Sequence, residues 1–306
     1  MDLETDFLYT PDGARLRYGT WRGSSPAPRR GTCAILDGQT EFLEKYGEVA
    51  NELSARGYAV AVLDWRGQGG SQRTLPDPRK VHVRDFSEYD RDLKVFAAEV
   101  VAPLGHAPPL ALAHSMGAHI LLRALHANPR MFAGAVMTAP MLEADTRGYP
   151  AWLARFVCRT LNLAGPSAAW VWGIRRRDPL SMEFDDNLVT SDCKRFARTK
   201  ALLAANPQIR LTGPTWGWLE AAYRSMAQIK APGFAEAITT PILILGAGRD
   251  RIVKTSAIRA FAKRLPNATY VELADAEHEI LMENDSIRAR FWTAFDAFTD
   301  RAPGGG

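Results

Sequence analysis

Ser115 is the residue whose neighbours best suit it to act as a nucleophile. A short apolar run, Leu110 to Ala113, comes just before it, and an apolar helical pattern begins directly after it. The residues two before and two after the serine are Ala113 and Gly117. Small side chains are needed at both places if the chain turns sharply from a strand into a helix. The pattern predicts a strained strand-to-helix turn that exposes the serine hydroxyl. The alternative is an ordinary junction in which Ser115 only caps the helix.

Two residues in the C-terminal third could serve this nucleophile. Asp250 follows an apolar, strand-like run and a loop that contains glycine. His278 follows the next predicted strand, Thr269 to Leu273. Asp275 lies three residues before the histidine and is an alternative acid. The sequence therefore predicts a serine, an acid and a histidine, in that order along the chain.

These residue types meet the needs of acyl transfer. A serine hydroxyl is a poor nucleophile at neutral pH, so a histidine must take its proton during attack and return it to the leaving group. We predict His278 as this base, and Asp250 as the acid that orients its imidazole and stabilises the imidazolium. His114 and His119 also lie close to the serine in the sequence. We interpret both as packing residues, because neither lies in a loop after a later strand.

Acyl transfer also needs hydrogen-bond donors for the oxygen that becomes negatively charged. The backbone N–H of Met116, at the start of the helix after the serine, is predicted to supply one. The other is predicted to be the N–H of Gln39, in the loop after the strand Thr32 to Leu36. Gly38 would let the backbone of this loop turn towards the serine. The alternative interpretation of the loop is a plain β-turn.

Several motifs along the chain resemble those of the α/β-hydrolase superfamily. The similarity is to the bacterial lysophospholipase and monoacylglycerol lipase branch (serine-aminopeptidase-like hydrolases), which shares the order serine, acid, histidine. Many members of the family carry His-Gly where this chain has Asp37 and Gly38, so a carboxyl group near the oxyanion turn departs from the pattern. In chain order the motifs are Asp37–Phe42, Glu44–Tyr46, Asp64–Ser71, the turn at Ser115, Gly213–Leu219, Gly248–Val253 and His278–Leu281.

The loop Asp64–Ser71 carries three glycines directly after a predicted strand. Glycines in such a place can expose backbone N–H groups to a phosphate, but the Walker lysine and the full dinucleotide fingerprint are absent from the sequence. We therefore interpret Asp64 and Arg66 as braces of the loop that supports the oxyanion turn.

The order of the predicted elements favours an α/β fold. Strands and helices alternate, and Tyr58–Leu63 is apolar throughout, as expected where both faces of a parallel sheet are covered. The resemblance implies the α/β-hydrolase fold, a doubly wound, mostly parallel sheet with a helical cap inserted before the strand that carries the catalytic acid. The gap before Ile242 is too long for a simple loop. We predict a hydrolase core of 1–140 and 233–302, a helical cap of 141–232 and a flexible tail of 303–306.

The predicted cap is basic and rich in tryptophan. It contains thirteen Lys and Arg, including Arg175–Arg177, against eight Asp and Glu, and five of the eight tryptophans. Such a lid suits an acyl chain with a polar or anionic head, and peripheral contact with an anionic membrane. The alternative is that the arginines form a solvated face and the tryptophans pack inside the cap. The pI is near 9, but no recognition motif accompanies it, so we predict no nucleic-acid partner.

Composition favours a globular enzyme. The chain has 306 residues, of which 46% are hydrophobic and 24% charged, enough to bury a large core. Its three cysteines lack metal-ligand spacing, so we expect reduced thiols, no metal and no cofactor. The acidic N-terminus is unlike a signal peptide. We expect a cytoplasmic protein, with peripheral contact at the inner face of the membrane left open.

The sequence as a whole predicts a serine hydrolase that cleaves carboxylic esters of lipid-like substrates, such as lysophospholipids or monoacylglycerols, through an acyl-enzyme. A peptidase or amidase of the same fold is the main alternative. A non-catalytic ligand-binding protein on this fold is a second one. The sequence assigns neither substrate-binding residues nor an oligomeric state.

Overall fold

A computed structural model describes residues 3–21, 30–105, 108–146, 151–163, 165–172 and 178–301. The basic run Arg175–Arg177 and the predicted tail 303–306 lie outside the described residues.

An eight-stranded sheet forms the centre of the protein. Its strands are β1 (Glu4–Tyr9), β2 (Arg15–Trp21), β3 (Gly31–Leu36), β4 (Tyr58–Leu63), β5 (Leu110–His114), β6 (Gly134–Thr138), β7 (Ile242–Ala247) and β8 (Ala268–Leu273). They lie in the order β1-β2-β4-β3-β5-β6-β7-β8. The pairs β1–β2 and β2–β4 are antiparallel, and all other neighbours are parallel. The predicted mostly parallel sheet is confirmed.

Eight α-helices lie in the described part of the chain. They are α1 (Gly47–Ala55), α2 (Ser87–Phe96), α3 (Ser115–Ala127), α4 (Ala151–Leu163), α5 (Cys193–Ala205), α6 (Trp216–Lys230), α7 (Thr255–Ala262) and α8 (Asp285–Thr299). A membrane-crossing helix, which needs greater length and a more apolar sequence, is not found among them.

Alternating side chains of the strands feed two hydrophobic cores, one on each face of the sheet. In β4, Val60 and Val62 belong to the core that includes apolar side chains of α1 and α8. Ala61 and Leu63 belong to the other core, together with side chains of α2, α3 and α7. The sheet is therefore covered on both faces, which is why its central strands are apolar along most of their length.

The long segment between β6 and β7 carries α4, α5 and α6. It is joined to the rest of the protein by backbone contacts near the carboxyl ends of the strands. The limits 141 and 232 of the cap stay a prediction. The backbone contacts include Ala144 with Val253, Val189 with Glu279, and Thr215 with Val81.

Candidate active site

The turn between β5 and α3 is strained and closely packed. Ser115 has a φ of 50°, in the left-handed region that few residues other than glycine adopt. A Cβ atom at Gly117 would lie 2.3 Å from the carbonyl oxygen of Leu36 and 2.4 Å from that of Asp37. Only glycine therefore allows the first turn of α3 to lie against the loop that follows β3.

Three predicted site residues meet beside this turn. The His278 Nε2 atom lies 3.0 Å from the Ser115 Oγ atom, and its Nδ1 atom lies 2.7 Å from Asp250 Oδ2. The other Asp250 oxygen accepts hydrogen bonds from the N–H groups of Ile252 and Val253, at 2.8 and 2.9 Å. With Nδ1–H donating to the carboxylate, Nε2 is left to accept the serine proton. Ser115 and His278 are both buried, with 7% and 5% of their surface exposed.

The charge state of Asp250 follows from its neighbours. Burial by itself raises the pKa of this carboxyl, but the adjacent His278 and the N–H donors of Val253 and Ile252 outweigh burial and lower the pKa below its ordinary value. Asp250 is therefore ionised at neutral pH and accepts the His278 N–H.

Asp275, the alternative acid, binds Arg290 and not His278. Asp275 forms an ion pair with Arg290, and about half of its side-chain surface is exposed. The His278 Nδ1 atom instead faces Asp250.

Neither of the other two histidines near the serine contacts the Ser115 hydroxyl through a hydrogen bond in the described structure. The His114 ring packs against the His278 ring, with centroids 4.8 Å apart. His119 turns away, to the carbonyl of Met141 at 2.8 Å and the hydroxyl of Ser225 at 2.6 Å. Burial lowers the pKa of His114 to about 4 and that of His119 to about 3. Both are therefore neutral near pH 7.

In the loop after β3, the backbone N–H group predicted to bind the oxyanion lies between two N–H groups that have acceptors. The N–H of Gly38 donates to the carboxylate of Glu41. The N–H of Thr40 donates to Gln68 Oε1 at 2.7 Å. Between them, the N–H of Gln39 has no hydrogen-bond acceptor among the described residues. Thr40 has a φ of 65°, which marks the bend of this loop. We call Asp37–Glu41 the oxyanion turn, after the role predicted for Gln39.

Met116 lies in the first turn of α3, directly after Ser115. Backbone N–H groups in the first turn of a helix have no partner within the helix, and the helix dipole favours negative charge there. The first turn of α3 and the oxyanion turn are also adjacent, because Gly117 packs against the carbonyl groups of Leu36 and Asp37.

Asp37, the departure from the family pattern, is fully buried. Neither of its carboxyl oxygens has a hydrogen-bond partner among the described residues. Burial raises the pKa of Asp37 well above its usual range, and the nearby carboxylates of Asp64 and Glu41 add to the effect. Burial therefore favours the neutral form of this carboxyl, which would place no negative charge behind the oxyanion turn.

The oxyanion turn is braced by Gln68, which sequence reasoning missed. The Gln68 side chain accepts from Thr40 and donates to the carbonyl of Gly38 at 3.1 Å. Arg66, predicted with Asp64 to brace the loop that supports this turn, binds Asp92 through its guanidinium at 2.5 to 3.0 Å. Gln68 lies in the motif Asp64–Ser71, but no spacing or periodicity in the sequence indicates that it contacts the loop after β3.

Asp64, the other residue predicted to act as a brace, holds both its own loop and the chain beyond the oxyanion turn. The Asp64 carboxylate accepts hydrogen bonds from the N–H of Leu43 at 2.9 Å and from that of Gly70 at 2.7 Å. It also forms an ion pair with Arg17 at 2.6 Å. Asp64 thus joins the chain just beyond the oxyanion turn to its own glycine-bearing loop.

Comparison with known proteins identifies the family. The model of the family described as serine aminopeptidase, S33, matches residues 27–285. This chain belongs to that family. Lysophospholipase L2 of Escherichia coli (strain K12) is 31% identical over 262 residues, 83% of this chain and 76% of that protein. Monoacylglycerol lipase of Mycolicibacterium smegmatis is 26% identical over 253 residues, 83% of this chain and 81% of that protein.

Solved structures agree on the fold. A soluble variant of monoglyceride lipase from Saccharomyces cerevisiae aligns with a TM-score of 0.77 at 18% identity, covering 98% of this chain and 96% of that one. Monoacylglycerol lipase from Paleococcus ferrophilus aligns with a TM-score of 0.71 at 18% identity, covering 98% and 99%. The predicted α/β-hydrolase fold and the family resemblance are confirmed.

The close contact at Gly117 gives a stability test. We expect Gly117→Ala to lower the free energy of unfolding by about 1–3 kcal/mol, because the added methyl group meets backbone atoms that cannot move aside. Ester hydrolysis should fall as well, since the oxyanion turn and α3 are pushed apart. Urea unfolding and turnover of p-nitrophenyl acetate measure the two effects. Gly47→Ala in α1 is the control, because its Cβ would meet nothing within 4 Å. Equal behaviour of the two variants would contradict the packing argument.

The lowered pKa of Asp250 predicts a pH-dependent contribution to stability. A carboxyl with a depressed pKa in the folded protein stabilises it above the pKa of the unfolded chain, about 3.9, and the contribution is lost as pH falls below that value. Wild type should therefore exceed Asp250→Asn in free energy of unfolding at pH 7, and the difference should shrink below pH 4. Urea titrations of both proteins between pH 3 and pH 7 measure it. A difference that stays constant across this range would refute the assignment.

Proposed function

We propose that this protein is a serine hydrolase that cleaves carboxylic esters of lipid-like substrates through an acyl-enzyme. The observation that carries the proposal is the continuous hydrogen-bonded path from Ser115 through His278 to Asp250. The family relation supports the choice of chemistry, since relatives similar over most of this chain are named lysophospholipase and monoacylglycerol lipase.

Acylation follows from the geometry. His278 Nε2 takes the hydroxyl proton as Ser115 Oγ attacks the ester carbonyl carbon, and the carbonyl electron pair moves onto oxygen. The N–H groups of Gln39 and Met116 stabilise that oxyanion. The oxyanion then collapses, the bond to the alcohol breaks, and the alcohol oxygen takes the proton from His278. Asp250 stabilises the imidazolium between these steps without taking its proton.

Deacylation repeats the same proton path with water. His278 removes a proton from a water molecule, whose oxygen attacks the acyl carbon of the ester on Ser115. The second oxyanion collapses, the acid product leaves, and Ser115 Oγ recovers its proton from His278. These atoms suffice for both halves of the reaction, so the mechanism uses side chains and backbone groups alone.

An apolar cavity in the predicted cap, 141–232, supports a substrate with an acyl chain. Its volume is about 470 Å³, and side chains of α4 and α6 line much of it. The cavity wall includes Ala144, whose backbone pairs with Val253 in the loop that carries Asp250. An acyl chain bound in this cavity would lie beside the loop that carries Asp250. Most of the lining carries no charged group, which favours a hydrocarbon ligand. Apolar lining residues include Leu153, Ala154, Val157, Val171, Leu219 and Tyr223.

The outer face of α4 supports contact with an anionic membrane. Trp152, Phe156 and Leu163 are 69%, 63% and 76% exposed, and their spacing places them on one stripe of the helix. Arg159 lies in the same stripe and Arg155 at its edge, and both are exposed. Aromatic side chains that enter the interface, next to guanidinium groups that meet lipid phosphates, are typical of helices lying on an anionic bilayer. We infer that this α4 stripe docks the cap on such a surface.

The first test of the function combines variants with a substrate panel. Ser115→Ala, His278→Ala and the double variant should each lose about 10³-fold or more in kcat and share a similar residual rate, because the residues act as one unit. Rates on a monoacylglycerol, a lysophospholipid and an aminoacyl-arylamide measure it, with exposed Ser286→Ala on α8 as the control. Preference for the arylamide would replace the esterase proposal by an amidase one. Additive losses, or no labelling of Ser115 by a fluorophosphonate, would count against the mechanism.

The second test concerns the α4 stripe. Wild type should co-sediment with phosphatidylcholine vesicles that contain phosphatidylglycerol, more weakly with pure phosphatidylcholine, and less as salt rises. Trp152→Ser with Phe156→Ser should weaken binding about 10-fold or more, because each aromatic side chain contributes on the order of 1.5–3 kcal/mol when buried. Tyr9→Ser, which removes an aromatic side chain that is 64% exposed in β1, is the matched control. Unchanged binding of the α4 variant would contradict membrane docking.

A further inference from the structure

A buried lysine joins the two loops that flank the serine. The Lys45 Nζ atom lies 2.6 Å from Glu41 Oε1 and 2.7 Å from Glu279 Oε1. The side chains of Lys45, Glu41 and Glu279 are only 6%, 5% and 15% exposed. Solvent therefore screens these contacts far less than those of a surface ion pair.

On one side the bridge holds the oxyanion turn. The second Glu41 oxygen accepts from the Tyr46 hydroxyl at 2.7 Å and from the backbone N–H of Gly38. Gly38 directly precedes Gln39, so the Glu41 carboxylate fixes the peptide next to the proposed oxyanion donor. Lys45 fixes the carboxylate in turn.

On the other side the bridge holds the histidine loop. Glu279 directly follows His278, and its backbone N–H donates to the carbonyl of Val189 at 2.7 Å. Its carbonyl accepts from the N–H of Met282, also at 2.7 Å. The Glu279 backbone is thus held by hydrogen bonds, and its side chain reaches Lys45. One ammonium group spans the oxyanion turn and the loop that carries the base.

The charge of Lys45 is retained despite burial. Burial by itself lowers the pKa of an ammonium group, but the carboxylates of Glu279 and Glu41 outweigh it and raise the pKa of Lys45 above its ordinary value. Loss of the ammonium group would leave two carboxyl groups buried without their shared partner, which favours separation of the two loops.

We propose that Lys45 is a positioning residue, whose contacts with Glu41 and Glu279 set the separation between the oxyanion turn and His278. The proposal rests on the proposed function, because it assigns catalytic roles to the two loops. Lys45 itself touches no reacting atom. Its contribution is to keep the proton acceptor and the oxyanion donor in register with the Ser115 hydroxyl.

The experiment compares Lys45→Met, Lys45→Arg and Glu279→Gln with wild type. Methionine keeps the length and apolar stem of the side chain but cannot bridge, whereas arginine keeps the charge and can bind both carboxylates. The measurements are kcat and KM for p-nitrophenyl butyrate, the rate of Ser115 labelling by a fluorophosphonate, and the folded fraction by urea unfolding. Arg56→Met is the matched control. Arg56 forms an ion pair with Asp296 at 2.7 Å and follows α1 at the opposite edge of the sheet from the serine.

We expect Lys45→Met to lower kcat by about 10- to 100-fold per folded molecule with little change in KM, since small displacements of reacting groups cost this much. Labelling should slow in parallel, Glu279→Gln should act in the same direction, and Lys45→Arg should recover most of the rate. Arg56→Met should alter stability alone. A folded Lys45→Met protein with wild-type kcat and labelling would overturn the proposal, as would losses that merely follow the folded fraction.

Failure of the proposed function would be seen separately, as a wild-type protein that reacts with the fluorophosphonate but hydrolyses no ester. In that case the labelling rates of the variants still test the positioning role of Lys45. A wild-type protein that neither reacts with the fluorophosphonate nor hydrolyses ester would overturn both proposals.

Discussion

Parallel pairing places the carboxyl ends of five neighbouring strands, β3, β5, β6, β7 and β8, at one edge of the sheet. Leu36 at the end of β3 pairs near Ala113 in β5, and the register continues through β6 and β7 to β8. The loops after β3, β5, β7 and β8 therefore emerge at the same edge, although the first and the last of them are more than two hundred residues apart in the chain. Each loop carries one part of the proposed site: the oxyanion turn, the serine, the acid and the histidine. Any change in register would separate them.

Close packing and burial turn this shared edge into a chemical site. Gly117 allows α3 to lie directly against the loop after β3, and the strained Ser115 backbone is held there by the surrounding contacts. Burial lowers the pKa of His114 to about 4 and raises that of Asp37, so it favours the uncharged form of both side chains. Asp250 remains ionised, because His278 and two backbone N–H groups compensate for its burial. The Asp250 carboxylate can therefore accept the hydrogen bond from the His278 imidazole.

The inserted segment is joined to the loops that bear the proposed acid and base. Its early part pairs with the acid loop through Ala144 and Val253, and Val189 accepts a hydrogen bond from Glu279 beside the histidine. Movement of the predicted cap would therefore displace both loops. The two sides of α4 have different environments, one facing an apolar cavity and the other solvent.

The sequence by itself determined the elements and the order of the proposed triad. Strands such as Tyr58–Leu63 and Gly134–Thr138 are apolar over all or most of their length, and the small residues around Ser115 mark a sharp turn. These signals are local, since each depends on neighbouring residues along the chain. They also placed Gln39 in the loop after β3, although its role as a donor stays a prediction.

Only the tertiary structure decided which side chains support that loop and that triad. Gln68, 28 residues from Thr40 in the chain, braces the oxyanion turn, and the sequence did not single it out. Lys45 meets Glu279, from the far end of the chain, and Asp250 rather than Asp275 faces His278. Partners of this kind leave no periodicity or spacing in the sequence, because the contact is made by the register of the sheet and the packing of its loops. A buried charge needs a partner, but the fold alone determines which residue supplies it.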